Sequence, residues 1–286
     1  MTTTIRNPIE WGADQMRLAG VAVGTAGRAV AEAERGDVPV RIARIGIGDL
    51  GAALRAGLDD FLACRSDAIF LCVFYPVVGL VLAYVVFGHG LLHLLFPLAS
   101  GFALVGPVAG LGLYAMSRNR EREGTMATRD ALGVLRSPAF GEIVVLSLAM
   151  VAELLVWLWA AFAIYVLTLG PKPPVSMSLF VHDVFATPAG HAMAAIGIVV
   201  GFFFAALALL LFLAFPLLLD RDVGLAVAIR ASVRAVLANK GSMTVWGLIV
   251  AGVLLVGSVP AFLGLVVAMP VLGHATWHLY RRVMPG

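Results

Sequence analysis

Few side chains in this sequence can do chemistry, and most of those stand in apolar surroundings. Glu153 lies within the run IVVLSLAMVAELLVWLWAAFAIYVLTL, near its middle. An ionisable group at that depth in a bilayer costs at least ~2.5 kcal/mol unless it is neutralised or paired. Glu153 is therefore read either as a proton or cation relay or as a neutral acid hydrogen-bonded to a neighbouring helix. His274 and His278 are four apart, on one helical face just before Arg281 and Arg282. Such a pair can ligate metal or haem, but ligand sets normally converge from several helices. The pair is read as interfacial and polar. The depths of His274 and Glu153 differ by only about 6 Å at about 1.5 Å per residue, which makes pairing between them a second expectation. His182, Asp183 and His191 sit in or beside a proline-bearing stretch and lack a second carboxylate to complete a metal site. Cys64 and Cys72, eight apart, have no metal-binding pattern and read as packing residues. No HExxH motif, nucleophile–base pair or phosphate-binding loop is present. No metal, no cofactor and no enzymatic activity are expected.

The elements that must position these residues follow from composition. The 286 residues are 61% hydrophobic and 13% charged, where soluble domains are roughly one quarter charged. Lipid must cover much of such a chain. Nothing points to nucleic acid, because no soluble basic patch is interleaved with stacking aromatics. A bilayer core of about 30 Å needs about 20 helical residues, and the apolar runs predict spans at about 68–87, 91–116, 143–169, 192–219, 243–259 and 261–280. Residues 1–46 form a separate N-terminal segment without the features of a signal peptide; its stretch 13–34 reads as a weakly amphipathic surface helix. Residues 47–67 read as an amphipathic helix too polar to span, with Leu50, Leu54, Leu58, Phe61 and Leu62 on its apolar side. Residues 170–188 read as a loop, and Ser258-Val259-Pro260 as a turn between the last two spans.

Charge then orients the spans. Of the 20 Lys and Arg, 19 fall on the side of the termini and Lys172 alone on the other. Short Arg-rich loops remain cytoplasmic, which places both termini in the cytoplasm. The segments 52–66 and 227–241 also align without gaps: Arg55 with Arg230, Ala56 with Ala231, Leu62 with Leu237, Arg65 with Lys240. PVAG at 107–110 recurs as PVLG at 270–273, and 130–138 reads as a shortened middle copy. The unit is a surface helix followed by a helical hairpin, repeated in parallel. Small residues at Gly106 and Gly110, and at Gly197 and Gly201, carry the spacing that lets helices approach closely.

Several stretches together resemble one family: RNPIEWGADQ at 6–15, RIGIGDLGAALRAGLDDFLA at 44–63, FPLASGFALVGPVAGLGLYAMSRNRE at 96–121 and FPLLLDRDVGLAVAIRASVRAVLANKGSM at 215–243. The family is the group of bacterial integral-membrane proteins known as domain of unknown function 2189, and the GLYxxSR stretch is the most specific element. The resemblance implies a multi-span fold in a bacterial inner membrane and supplies no activity or catalytic residue. Some members carry a cytochrome oxidase subunit label. A haem–copper core needs a convergent set of histidines within the spans, and the six histidines here do not provide one.

The expected fold is an all-α polytopic membrane bundle with amphipathic cytoplasmic helices and a parallel internal repeat. Two functions remain open. One is an interaction, assembly or membrane-organising protein whose partners are the bilayer, another membrane protein or further copies of itself. The other is a small transporter or channel using Glu153 as an intramembrane relay.

Overall fold

A computed structural model describes residues 40–286. The expected surface helix at 13–34 lies outside these described residues. Helix α1 (Ile47–Ala63) starts where the Asp49 carboxylate accepts a hydrogen bond from the Gly46 N–H at 2.9 Å. α2 (Arg65–Cys72) and α3 (Phe74–Gly88) run on as one apolar length. α4 (Leu95–Leu104), α5 (Gly106–Ala109) and α6 (Leu111–Glu123) come next, and α6 ends at Gly124, whose φ of 73° is the left-handed cap that glycine adopts without strain. After α7 (Thr128–Ala131) and a 3-10 segment (Leu132–Arg136) come α8 (Phe140–Thr168), α9 (Met177–Ala186), α10 (Pro188–Leu211), α11 (Ala214–Asp220), α12 (Leu225–Ala238), α13 (Lys240–Ser258) and α14 (Leu265–Val283). Among the described residues there is no strand.

Four stretches are long and apolar enough to cross a membrane: Arg65–Gly88, Phe140–Thr168, Pro188–Asp220 and Lys240–Ser258. α8 shows how such a helix is divided. Leu148, Val151, Leu155, Trp159 and Phe162 form one exposed stripe at helical spacing, while Ile143, Leu146, Met150, Glu153 and Trp157 form the buried one. Both stripes are apolar apart from Glu153, as lipid on one side and protein on the other require.

Three expectations change. The run 91–116 is broken into α4, α5 and the start of α6 at Val105 and Gly110, where Pro107 lacks a backbone donor and Gly106 and Gly110 weaken helix propensity. The run 261–280 becomes α14, which begins at Leu265 after a turn and is enclosed by protein along most of its length. The loop 170–188 contains α9, opened by Ser176, whose hydroxyl accepts from the Leu179 N–H at 3.2 Å. This is the N-cap geometry that serine favours.

The surface helices pack in a closed pattern. α7 and the 3-10 segment rest on α6, α12 rests on α10 and α11, and α1 rests on α14. The first two contacts join chain neighbours; the third closes the structure across its whole length. α6, α11 and α14 also pack on one another. The buried face of α1 is Leu50, Ala53, Gly57, Asp60 and Phe61, whereas Leu58 and Leu62 are 43% and 50% exposed. The expected leucine stripe is thus turned partly outward. The reason is distance: a Cβ on Gly57 would stand 2.5 Å from the Ala275 nitrogen, so only small residues fit between α1 and α14. The segment leading into α1 is held by Asn239, which donates to the Ala43 carbonyl at 3.0 Å and accepts from the Ile45 N–H at 2.8 Å.

Replacing Gly57 by Leu must push α1 off α14. Overpacking of this kind costs about 1–3 kcal/mol, and a lower melting temperature in mild detergent is the expected outcome. Gly106→Ala, where nothing lies within 4 Å of the added Cβ, is expected to melt like the parent protein.

Candidate functional site

The close contact of α1 with α14 brings a polar residue into the interior. Asp60 is one helical turn beyond Gly57, on the same buried face, and is 4% exposed. Its carboxylate meets α6 and α14 at once. Oδ2 accepts from the Ser117 hydroxyl at 2.5 Å and from His278 Nε2 at 2.9 Å, while Oδ1 accepts from Arg120 Nη1 at 2.6 Å. Ser117 Oγ also lies 2.7 Å from His274 Nδ1. With its own proton directed to Asp60, the serine oxygen accepts from His274 Nδ1–H. This assigns the tautomer and leaves His274 Nε2 bare; that nitrogen is buried with no hydrogen-bond partner among the described residues. Burial raises the Asp60 pKa, but the hydrogen bonds from His278 and Ser117 and the nearby imidazoles outweigh it and hold the carboxyl below its ordinary value.

Serine, histidine and aspartate together invite comparison with a nucleophilic triad, and the order of the bonds rejects it. In a triad the histidine takes the serine proton and the carboxylate lies beyond the histidine. Here the carboxylate takes the serine proton directly, and Ser117 is 1% exposed. The cluster ties α1, α6 and α14 together.

A second polar cluster lies at the end of α11. The Asp220 side chain is 8% exposed and accepts from Tyr280 Oη at 2.8 Å, Arg122 at 3.0 Å and Arg281 at 3.4 Å. Glu121 accepts from Trp277 Nε1 at 3.1 Å and pairs with Arg281 at 2.9 Å. Arg118 Nη1 donates to the Leu219 carbonyl, one of the carbonyls that a helix end leaves unpaired.

The residues singled out from the sequence are dispersed by this arrangement. His274 and His278 come together, through Asp60 and Ser117 rather than through each other. Glu153 does not join them. It lies on α8, buried beside the Ala208 backbone of α10, and no side chain among the described residues hydrogen-bonds its carboxylate. The expected Glu153–His274 pair is not formed, because similar depth fixes only one coordinate and the two helices have different neighbours. A Cβ on Gly201 would stand 3.3 Å from Trp157; one on Gly110 would meet the Tyr114 ring in the following turn at 2.7 Å; one on Gly106 or Gly197 would meet no packed neighbour within 4 Å among the described residues. His182 and Asp183 stand 3.7 Å apart at an exposed position, and His191 Nε2 lies 2.8 Å from the Phe185 carbonyl. Among the described residues no three His, Cys, Asp or Glu side chains are grouped to hold a metal. Both cysteines are free and buried, and burial together with Asp67 pushes the Cys64 thiol up to about 12. Asp60, Ser117 and Arg120 were missed from the sequence. The available signal was the spacing of Asp60 from Ala53 and Gly57, which places it on the small-residue face.

An all-helical bundle with several apolar stretches of membrane-crossing length is the fold of an integral membrane protein. Residues 95–220 match the family model described as predicted integral membrane protein, domain of unknown function 2189. The match takes in the stretch 96–121 that carries the GLYxxSR pattern. No curated protein and no solved structure matches the chain.

Because the Asp60 pKa is depressed in the folded protein, its stabilising contribution is complete above the unfolded carboxyl value of about 4 and is lost as pH falls through the lower folded value. Asp60→Asn strands the partners of a buried charge at a cost of about 3 kcal/mol. Melting temperature measured against pH is expected to be lower for Asp60→Asn at neutral pH, with a shallower acid limb. Identical acid limbs in the two proteins would exclude Asp60 as the titrating group.

Proposed function

We propose that this is a non-enzymatic, six-span protein of a bacterial inner membrane with both termini in the cytoplasm, and that it works as an interaction, assembly or membrane-organising protein. The 19-to-1 distribution of basic residues supports the orientation. The closed packing of three surface segments on α6, α11 and α14 supports a parallel repeat of three units, since each segment rests on the span that precedes it around the ring. The observation that carries the functional reading is the use made of polar side chains. Asp60, Ser117, His274 and His278 bind three helices into one rigid end, and Asp220 and Glu121 do the same with Arg122, Arg281 and Tyr280. Such an end is a platform for lipid, a membrane-protein partner or a second copy.

Glu153 favours a second reading. A buried carboxyl without a side-chain partner among the described residues is what a proton or cation relay requires, and a small transporter or channel would use it.

One measurement tests the topology and a second separates the two functional readings. Reporter fusions after Arg282 are expected to report a cytoplasmic C-terminus, and a periplasmic one would overturn the six-span topology. For function, the purified protein is reconstituted in liposomes and proton and cation flux is recorded for the parent and for Glu153→Gln. The scaffold reading expects flux equal to that of empty liposomes for both. Flux in the parent that Glu153→Gln abolishes would replace it with the transport reading.

A further inference from the structure

Between α6 and the segment Thr128–Arg136 lies a cavity of about 440 Å³, lined by Arg118, Asn119, Arg129, Asp130, Leu132 and Arg136 among others. Its volume is that of a small-ligand site, and its lining is unbalanced in charge, with three arginines and one aspartate. That carboxylate is partly engaged, since Asp130 Oδ2 accepts from the Ala127 N–H at 2.7 Å. Of the other acidic groups, Asp60 pairs with Arg120, Asp220 with Arg122 and Arg281, and Glu121 with Arg281, while Asp67 accepts from the Thr128 N–H at 3.2 Å. Among the described residues neither Arg129 nor Arg136 pairs with a carboxylate, and Arg118 reaches only the Leu219 carbonyl. Burial and the neighbouring Arg122 push Arg118 below its ordinary value, with Asp220 acting the other way.

An anion balances the excess of positive residues in such a lining. The guanidinium fork matches phosphate oxygens with two parallel hydrogen bonds. The surroundings are partly apolar: Leu132 and Leu135 are each 61% exposed, and the apolar length of α8 begins at Phe140, directly after this segment. We propose that this cavity binds a phosphate-bearing anion through Arg118, Arg129 and Arg136. Two sources share that chemistry: the headgroup of an anionic phospholipid, with the exposed leucines against its chains, and a soluble phosphate. Arg118 is anchored to the end of α11, so an occupant would be held against the point where the three central helices meet.

The test uses the full chain in neutral detergent. Retention of phosphatidylglycerol against phosphatidylcholine is read by native mass spectrometry, and binding of inorganic phosphate by calorimetry. The double variant Arg129→Gln/Arg136→Gln is compared with Arg55→Gln/Arg230→Gln, which removes the same charge from exposed positions outside the cavity. Loss of binding on the order of tenfold is expected in the cavity variant alone. Loss confined to phosphatidylglycerol assigns the lipid source, and loss confined to inorganic phosphate assigns the soluble one. The proposal is overturned if neither probe binds the parent, if the cavity variant binds like the parent, or if both double variants lose binding equally. Should the double variant fail to fold, Arg136→Gln alone is read by the same criteria.

Discussion

The architecture depends on three helix ends meeting at one charged point. Asp220, at the end of α11, is nearly enclosed and would be costly to bury alone. It is held by Arg122 from α6 and by Tyr280 and Arg281 from α14, so one carboxylate specifies how three helices are juxtaposed. Arg118 and Arg281 stand eleven residues beyond Pro107 and Pro270 in their respective PVxG segments, and both reach the end of α11. Cations at the carboxyl end of a helix are also favoured by its dipole. The remaining polar contacts, from Asp60 to Asn239, extend this joint sideways to the surface helices.

Helix α14 is the clearest product of that joint. It carries Pro270, His274, His278, Arg281 and Arg282, a sequence poorly suited to exposure in lipid. Protein encloses it instead: α1 on one side through Gly57 and Ala275, and α6 on another, where a Cβ on Gly273 would come within 2.4 Å of the Leu113 side chain. Small residues bring the backbones close, closeness buries the polar groups, and the buried groups then require partners. Asp60, Ser117 and His274 Nδ1 pair with one another for that reason, which leaves only His274 Nε2 of this group without a partner among the described residues. Glu153 differs, since its neighbours on α10 offer it no side-chain partner.

Much of the fold was legible from the order of residues. Apolar length located the crossing-competent helices, the turn after Ser258 falls where Val259 and Pro260 suggest, and the two histidines four apart do share a site. The partners of those histidines were not legible. Periodicity describes one helix at a time, and Asp60 lies 214 positions before His274 in the chain, so only a contact between the first described helix and the last brings them together. The leucine stripe of α1 misled for a similar reason. Hydrophobicity ranks Leu58 above Gly57, but the approach of α14 selects by volume.

The sequence by itself determined that this chain is helical, that lipid must cover it, and that its basic residues are gathered beside its apolar runs. Those properties follow from composition and local spacing, which act within a single helix. Tertiary structure alone decided which helix is enclosed by the others, which carboxylate meets which arginine, and that three arginines line one cavity. Each of these depends on lateral position between helices, a coordinate that neither hydropathy nor depth along the membrane contains.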